Sequence, residues 1–498
     1  MTAKYLSLLD LVKLQGDETV SEKYVRYIAG FSSKKQYRHS EITAISHLID
    51  IADLKENDCA HFLYGYEIPQ LNKEFDLIKI FENYVLNIEL KSQKKNDADL
   101  IRQLKQNAHY LRLVKGKVDS YVFVDSPKRV LYHLEGESLV KADPSELSWL
   151  PVFDNPDCLD LDEVFRPSRI LVSPLNDTER FLNDEYLLTE NQSNIENKVL
   201  SRIGKIEDGA FFYGIKGNPG TGKTLLLYDI AKKLSKQGLV LLVHCGKLCK
   251  GHLVLNESIP NFKVIKAKDL RYRSIKGASC ILVDEAQRLY ATSFDEIIRW
   301  TKKTKTICVF SYDEKQRLSY SENDRDIPSK IEEICGENIS KLTTKIRASK
   351  EIALFVTCLF DLSKFDGRTA FANVEIVYEP DRAKAIEKAK SLPEHQYISY
   401  TPSVIYARLS DQESDLNTHR VIGQEFDKVV MILDGNFHYE ANKLAWASHP
   451  NPDYIFGKLL YQGLTRARHA ITLIITEASI LLPLLSLFPP TEQRTNKP

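Results

Sequence analysis

The glycine-rich segment GNPGTGKT, at residues 217–224, constrains this chain more than any other stretch of its sequence. It follows the apolar run AFFYGI and leads into the helical pattern KTLLLYDIAKKL. Glycines at such a turn let backbone N–H groups face an anion at the positive end of the helix. The spacing Gly-x4-Gly-Lys-Thr is that of a P-loop, which predicts phosphate contact by Lys223, magnesium ligation by Thr224 and a parallel α/β sheet. The glycines expected to contact the nucleotide are Gly217, Gly220 and Gly222.

A second motif lies about 60 residues further on, where the apolar run CILV ends in the pair Asp284-Glu285. A buried strand that ends in acids at this distance from a P-loop predicts a cation site at the same sheet edge. We expect Asp284 to hold Mg²⁺ and Glu285 to polarise the water that attacks the γ-phosphate. The two motifs predict hydrolysis of ATP with Mg²⁺ as the metal cofactor, and they do not say what the hydrolysis drives.

Five further segments resemble, in order, the remaining motifs of superfamily I helicases. LTENQSN resembles the Q motif, which implies that Gln192 reads the edge of the adenine base. ICVFSYDEKQRL resembles motif III, which implies that Asp313 and Gln316 sense the γ-phosphate and relay it to a bound strand. Tyr312 and Tyr320 flank this motif, and stacking on nucleic-acid bases is weighed there against ordinary packing.

The later segments imply a second lobe that reaches the same nucleotide. LTTKIRAS resembles motif IV and YQGLTRARHAITLII resembles motif VI, which puts Arg347 and Arg466 on the phosphates. THRVIGQEFDKVVMIL resembles motif V, with Thr418 and His419 toward nucleic acid. The nucleotide contacts that motif V implies are Gly423 and Glu425. Because the arginines reach the nucleotide only when the cleft closes, hydrolysis would open and close two RecA-like parallel-sheet lobes along a strand.

The intervals between these motifs are short, so the lobes have little room for inserted domains. This resembles the compact Schlafen-type branch of the superfamily. The wedge that splits duplexes usually belongs to such insertions. We therefore expect single-strand translocation or a nucleotide-driven switch rather than processive unwinding by this chain alone.

The N-terminal stretch EFDLIKIFENYVLNIELKSQ reads as two consecutive strands. Asp76 begins one strand, and in the next the alternation places Asn87, Glu89 and Lys91 on one face. Two carboxylates can hold Mg²⁺, and Lys91 can position or deprotonate a water that attacks a phosphodiester. The pattern resembles that of PD-(D/E)xK nucleases, although Phe75 stands where the family name has proline.

Two nearby helical patterns agree with this resemblance. Glu41, in SEITAISHLID, lies where that fold often supplies an extra acid, and it joins Asp76 and Glu89 as an expected metal ligand. The pattern DADLIRQLKQNAHYLRLV resembles a strand-contacting helix and puts three polar side chains on one face, namely Gln103, Gln106 and Tyr110. The alternatives are a nuclease-like fold without activity and an unrelated α/β domain.

Composition limits the remaining choices. The chain has 68 basic and 68 acidic side chains, so any nucleic-acid contact must come from local grooves rather than from net charge. Eight cysteines without a framework spacing, no secretion signal and no membrane-length apolar run predict a cytoplasmic protein with no membrane partner. His244, Cys245, Cys249 and His252 lie close together in sequence, and zinc binding is weighed there against a strand end followed by a loop.

We expect a restriction-endonuclease-like α/β domain at residues 1–150, a connector at 151–185, RecA-like lobes at 186–340 and 341–485, and a disordered tail at 486–498. The hypothesis is an ATP-dependent motor coupled to a metal-dependent nuclease, acting on DNA more than on RNA. It resembles bacterial anti-phage proteins, with a homo-oligomer or a partner defence protein left open. The alternatives are a repair or recombination nuclease–helicase and a nucleotide-gated sensor with a silent N-terminal domain.

Overall fold

The computed structural model describes residues 5–13, 18–28, 38–68, 73–94, 96–149, 161–165, 171–202, 209–272, 277–343, 350–401, 414–447 and 454–488. The chain divides into two compact units, residues 1–170 and 171–498, and each is described by itself. Within the described ranges no helix combines the length and the apolar character that a bilayer crossing requires. Arg347 lies outside these ranges, as does the expected tail from residue 489 onward.

The first unit contains one six-stranded sheet whose strands lie in chain order. Its strands are β1 Phe62–Ile68, β2 Lys73–Ile80, β3 Tyr84–Gln93, β4 Lys117–Ser126, β5 Val130–Glu135 and β6 Ser138–Lys141. Its helices are α1 Leu8–Val12, α2 Glu18–Ile28, α3 His39–Ala52, α4 Glu56–Cys59, α5 Asp97–Leu111 and α6 Leu161–Val164. Neighbouring strands are antiparallel except β3 and β4, which are parallel and joined through α5.

Helices cover both faces of this sheet. Along β4, Phe123 packs in one apolar cluster with Ile45 of α3, whereas Val122 and Val124 pack in another cluster with Leu104 of α5. Successive side chains of a strand point to opposite faces, so the two helices lie on opposite sides of the sheet. The central strands are therefore buried on both faces, and polar groups at their ends are held rigidly.

The second unit begins with a six-stranded sheet in the order β12-β7-β11-β10-β8-β9, in which every pair is parallel. Its strands are β7 Phe211–Gly217, β8 Val240–His244, β9 Phe262–Lys266, β10 Cys280–Asp284, β11 Ile307–Tyr312 and β12 Ile339–Leu342. Its helices are α7 Thr178–Leu182, α8 Glu190–Leu200, α9 Lys223–Leu234, α10 Lys250–Ser258, α11 Ala291–Thr304, α12 Tyr320–Arg325 and α13 Ile327–Cys335. The prediction of a parallel sheet around the P-loop is confirmed.

A second parallel sheet follows in the order β13-β18-β15-β14, beside an antiparallel hairpin of β16 and β17. Its strands are β13 Val374–Tyr378, β14 His395–Tyr397, β15 Phe426–Leu433 and β18 Ala467–Ile475, and the hairpin is β16 Phe437–Glu440 and β17 Lys443–Trp446. The helices are α14 Lys350–Phe360, α15 Arg382–Ser391, α16 Phe456–Leu464 and α17 Ala478–Leu484. We call the parts around these two sheets the first lobe and the second lobe.

Residues 171–182 differ from the expected connector at 151–185. Val172, Leu175 and Phe181 are buried in the same core cluster as the helix after the P-loop, so this segment is part of the first lobe. The proline and turn residues between these apolar positions led to the prediction of a connector, although the apolar side chains pack in the core. The sheet of the first lobe also extends past residue 340, because β12 ends at Leu342.

The segment around Leu175 approaches α10 so closely that Gly251 has no room for a side chain. A Cβ at Gly251 would lie 2.2 Å from the carbonyl oxygen of Leu175, and relief would require a shift of backbone. We expect Gly251→Ala to lower the free energy of unfolding by about 2 kcal/mol, as overpacking does. Chemical denaturation measures the change. Gly209→Ala is the control, because a Cβ there meets no atom within 4 Å; equal losses in both variants would contradict the prediction.

Candidate functional site

The P-loop runs from the end of β7 to the start of α9. Gly220 and Gly222 adopt φ angles of 75° and 81°, in the left-handed region that side chains disfavour. A Cβ at Gly217 would lie 2.6 Å from the Thr221 Oγ1 atom. The three predicted glycines are therefore each required by the local backbone.

Lys223 and Thr224 open helix α9 beneath this loop. The Lys223 Nζ atom donates to the carbonyl oxygens of Gly217 and Asn218 at 2.8 and 3.0 Å. The Thr224 Oγ1 atom lies 3.5 Å from Asp284 Oδ1. The ammonium group thus lies within the loop that would surround a phosphate, and a phosphate oxygen would replace its carbonyl partners.

Asp284 ends β10 beside the P-loop and is almost completely buried. Its Oδ2 atom has no hydrogen-bond partner among the described residues, and the His244 Nδ1 atom lies 3.5 Å away. A buried carboxylate oxygen without a donor costs free energy unless a cation or a proton meets it. Asp284 and Thr224 are the two residues that fit Mg²⁺ here. Sequence reasoning weighed His244 as a zinc ligand or the end of a strand, and it missed the proximity to Asp284 that the register of the parallel sheet produces.

Glu285 follows Asp284 and is held by a chain of hydrogen bonds. Its Oε2 atom accepts from Gln287 Nε2 at 2.6 Å, and Gln287 Oε1 accepts from the Asp313 backbone N–H at 3.1 Å. Burial alone raises the pKa of Glu285, but the charges of Arg288 and Lys223 hold it below its ordinary value. These two charges therefore favour the ionised form of Glu285.

Asp313 and Gln316 lie on the loop after β11, and both are buried. Within the described part of the chain, the Asp313 Oδ2 and Gln316 Nε2 atoms have no hydrogen-bond partner. Burial raises the pKa of Asp313, which Lys223 opposes. An acceptor and a donor without partners beside the P-loop lysine fit the sensing role expected of these residues.

The second lobe faces the P-loop across a cleft. Gly220 lines it from the first lobe, and Glu425 and Arg466 line it from the second. Gly423 approaches still closer, since a Cβ there would lie 3.8 Å from Asp284 Oδ2. The structure therefore brings together the residues from motifs V and VI with the two motifs of the first lobe. Arg347, from the expected motif IV, lies outside the described residues.

Arg466 and Glu425 are held by neighbours that sequence reasoning missed. The Arg466 NH1 atom donates to the Gln424 carbonyl oxygen at 3.2 Å. Arg468 donates to Glu425 Oε2 and to Asp177 Oδ2, both at 3.3 Å. Arg468 is the second residue of β18 and comes two residues after Arg466, and this closeness in sequence could have indicated it.

Gln192 is buried at the start of α8 and contacts the P-loop. Its Oε1 atom accepts from the Thr189 backbone N–H at 2.9 Å in a capping box. Its Nε2 atom donates to the carbonyl oxygens of Thr221 and Gly222 at 3.4 Å each. In this arrangement the amide supports the phosphate loop.

The residues expected to face nucleic acid differ in their exposure. Thr418 is fully buried and its Oγ1 atom lies 2.7 Å from Thr401 Oγ1, whereas His419 is half-buried. Tyr312 is fully buried, but Tyr320 is 48% exposed. Of the two tyrosines only Tyr320 can stack on a base, and Thr418 as placed supports the loop.

In the first unit, the structure brings together the three residues of the candidate cutting site. Asp76 lies in β2, and Glu89 and Lys91 lie in the antiparallel strand β3. The Lys91 Nζ atom is 3.0 Å from Glu89 Oε2 and 3.7 Å from Asp76 Oδ2. Burial, reinforced by the charge of Glu89, raises the pKa of Asp76 to about 7. The lysine occupies the place between the carboxylates where a cation would bind.

Helix α5 orients Glu89. Gln103 Nε2 donates to Glu89 Oε2, and Asn107 Nδ2 donates to Glu89 Oε1 at 2.6 Å. Asn107 was missed by sequence reasoning, although it lies one turn from Gln103 on a helix face that is otherwise apolar. Gln106 is half-buried and Tyr110 is buried, so as placed Tyr110 packs rather than presenting itself to a strand.

Glu41 has both carboxylate oxygens in hydrogen bonds. Arg38 NH1 and Tyr64 OH each donate to it at 2.8 Å. Among the described residues, no group of three or more His, Cys, Asp or Glu side chains is arranged to hold a metal ion. Glu41 therefore does not form a three-carboxylate metal site with Asp76 and Glu89. The cluster weighed for zinc is not arranged as a metal site either, and its His252 Nδ1 atom accepts from the Cys249 N–H at 3.0 Å. Asp76 and Glu89 remain as a pair that fits Mg²⁺ once Lys91 moves aside.

Comparison with known proteins agrees with the first lobe. Residues 211–392, which include most of the first lobe and the beginning of the second, match the family model for the Schlafen group 3 DNA/RNA helicase domain. The chain is also similar to a Pif1 helicase from Bacteroides in complex with ADP-AlF3 and ssDNA, at 14% identity and a TM-score of 0.33, over 61% of this chain and 96% of that one. It is similar as well to the DUF1998 helicase MrfA bound to DNA, at 10% identity and a TM-score of 0.31, over 64% of this chain and 51% of that one. A search of curated proteins finds no match.

The raised pKa of Asp76 predicts a pH-dependent loss of stability in the metal-free protein. The folded state holds this proton more tightly than the unfolded state, so stability falls as pH rises from about 4 to about 7. Asp76→Asn should be more stable than the wild type at pH 8, by on the order of 1 kcal/mol. Denaturation at pH 4 and pH 8 without divalent metal measures this. Asp99→Asn, at an exposed helical position, is the control and should show no such gain. The prediction would be wrong if the difference in free energy of unfolding between Asp76→Asn and the wild type were the same at pH 4 and pH 8.

Proposed function

We propose that the chain is an ATP-dependent nucleic-acid motor of the helicase type coupled to a Mg²⁺-dependent nuclease, acting on single-stranded DNA. One observation carries the motor proposal. Gly423 and Arg466 of the second lobe meet Asp284 and the P-loop of the first lobe across one cleft. A triphosphate in that cleft would contact both lobes, so its hydrolysis would alter how they hold each other.

The residues around the cleft divide the chemistry of hydrolysis between them. Lys223 and Arg466 compensate charge on the phosphates, which stabilises the transferring group. Thr224 and Asp284 would hold Mg²⁺, which supplies further charge compensation when it is bound. Glu285 accepts the proton of the attacking water. Loss of the γ-phosphate removes the group that both lobes contact, and the cleft can open while a strand is held.

In the first unit, Asp76 and Glu89 would hold Mg²⁺, which supplies a Lewis acid for phosphodiester hydrolysis when it is bound. Burial alone lowers the pKa of Lys91, but Glu89 and Asp76 raise it above the ordinary value. Lys91 is therefore a cation that positions water or phosphate rather than a base. Gln103 and Asn107 hold the Glu89 oxygens in place.

A second candidate function follows from the same geometry. The Lys91 Nζ atom already pairs with both carboxylates, at 3.0 Å from Glu89 and 3.7 Å from Asp76. A site closed in this way fits a nucleotide-gated sensor with a silent N-terminal unit. Magnesium-dependent cleavage separates the two. Phage challenge and DNA-damage phenotypes separate an anti-phage role in the cytoplasm, which we propose, from repair.

Substitutions at the P-loop and the acid pair should separate nucleotide binding from hydrolysis. Lys223→Ala should abolish ATP hydrolysis because a phosphate charge loses its compensation. Glu285→Gln should bind ATP but lower kcat by about a hundredfold or more, as loss of a general base does. Steady-state ATPase assays and fluorescent-nucleotide binding measure the two effects. Glu333→Gln, on the exposed face of α13, is the matched control. Wild-type hydrolysis by Glu285→Gln would exclude Glu285 as the general base.

Substitutions in the first unit should remove cleavage alone. Asp76→Ala and Glu89→Gln should abolish Mg²⁺-dependent cutting of labelled DNA and leave the ATPase rate near that of the wild type. Asn107→Asp should weaken cutting, because a donor to Glu89 becomes a like charge. Labelled single- and double-stranded DNA and RNA, with and without ATP, test the substrate. Absence of cleavage by the wild type in every arm would favour the silent sensor.

A further inference from the structure

Arg288 is buried near the catalytic acid and its guanidinium group has no hydrogen bond. The residue is 6% exposed, and none of its three side-chain nitrogens has a partner among the described residues. The nearest carboxylates are Glu285, with Oε2 at 3.7 Å from Nε, and Glu322, with Oε1 at 3.9 Å from NH1. A buried guanidinium without hydrogen bonds is costly, so a small movement that brought either carboxylate within hydrogen-bond distance of Arg288 would be favourable.

Glu322 connects Arg288 to a segment that touches the second lobe. Its Oε2 atom accepts from the Leu318 N–H at 2.6 Å, and its own N–H donates to Ser319 Oγ at 3.2 Å. The Leu318 carbonyl oxygen accepts from the Ile455 N–H of the second lobe at 2.9 Å. Ser319 also forms an antiparallel bridge with Tyr454. A shift of the second lobe therefore moves the backbone that carries Glu322.

The same contact reaches the surface where we place nucleic acid. The ring of Tyr454 lies 5.0 Å from the ring of His419, edge to face. Tyr320, the exposed tyrosine, is the residue after Ser319. Burial, with a smaller contribution from the charge of Arg288, lowers the pKa of His419 to about 3. Arg288 thus lies between the hydrolytic acid and the residues that would meet a strand.

We propose that Arg288 is a positioning residue that couples strand binding to hydrolysis by moving its ion pair between Glu285 and Glu322. A bound strand that pulls the Leu318–Ser319 backbone would bring Glu322 onto Arg288 and leave Glu285 free to accept the proton of the attacking water. Without a strand, Arg288 stays with Glu285 and hydrolysis is slow. The inference rests on the proposed motor function and adds the regulation of its site.

The test compares steady-state ATP hydrolysis with and without single-stranded DNA, using single-stranded RNA as a second probe. Arg288→Gln should reduce the stimulation by DNA about tenfold, the effect of roughly one ion-paired hydrogen bond, with little change in KM for ATP. Arg288→Lys keeps the charge and should restore part of the stimulation. Glu322→Gln retains an oxygen for the Leu318 N–H, but it leaves Arg288 with Glu285. This variant should be slow with and without DNA.

Matched controls are Arg299→Gln and Glu333→Gln, which change the same chemical groups at exposed positions of the same lobe. Both should keep wild-type stimulation. Wild-type stimulation in Arg288→Gln, or in Glu322→Gln if Arg288→Gln does not fold, would overturn the inference and leave the motor intact. A wild type that hydrolyses ATP without response to either probe would also overturn it. A wild type without ATP hydrolysis would overturn the proposed motor function itself.

Discussion

The arrangement of the motor depends on one constraint, the meeting of buried opposite charges at the carboxyl edge of a parallel sheet. The P-loop follows β7, Asp284 ends β10 and Asp313 follows β11, and these three strands are neighbours in the sheet. Lys223 lies among these acids and is held by carbonyl oxygens of the loop itself. Because buried ions need counter-charges, the mixture of acids and a lysine at this edge agrees with the proposed binding of a phosphate and a cation there.

The second lobe completes this edge because it meets the first at small residues and short polar contacts. Gly423 fits against His244 and Leu175 at distances that leave no space for a side chain. The Glu425 N–H donates to Asn176 Oδ1 at 3.0 Å, and Arg468 reaches Asp177. Segment 171–182 therefore packs in the core of one lobe and bonds to the other. The cleft is bounded by polar contacts that can break and re-form, which is a condition for opening.

The features that could be predicted from the sequence are those that a few consecutive residues determine. The P-loop, the strand ending in Asp284-Glu285 and the alternation around Glu89 each follow from backbone geometry over a few residues, and the structure assembles them as the spacing indicated. Asn107 escaped notice because its partner Glu89 lies on a strand, and Arg288 and Glu322 escaped notice because their pairing joins two separate helical elements. Thr418 was expected at a surface and is buried, because its hydroxyl bonds to Thr401 in a loop that the sequence does not place.

The two candidate catalytic centres use one arrangement with different consequences. In each, a basic side chain lies between two carboxylates, Lys91 in the first unit and Arg288 in the motor. Lys91 is hydrogen-bonded and its side chain is 15% exposed, so its flexible stem can carry the ammonium group away and a metal ion can take its place. Arg288 is nearly inaccessible, and its departure would remove the basic side chain that lies between these two buried acids. In the first centre, Lys91 can therefore exchange with a metal ion. In the second, Arg288 can only shift between its two acidic partners.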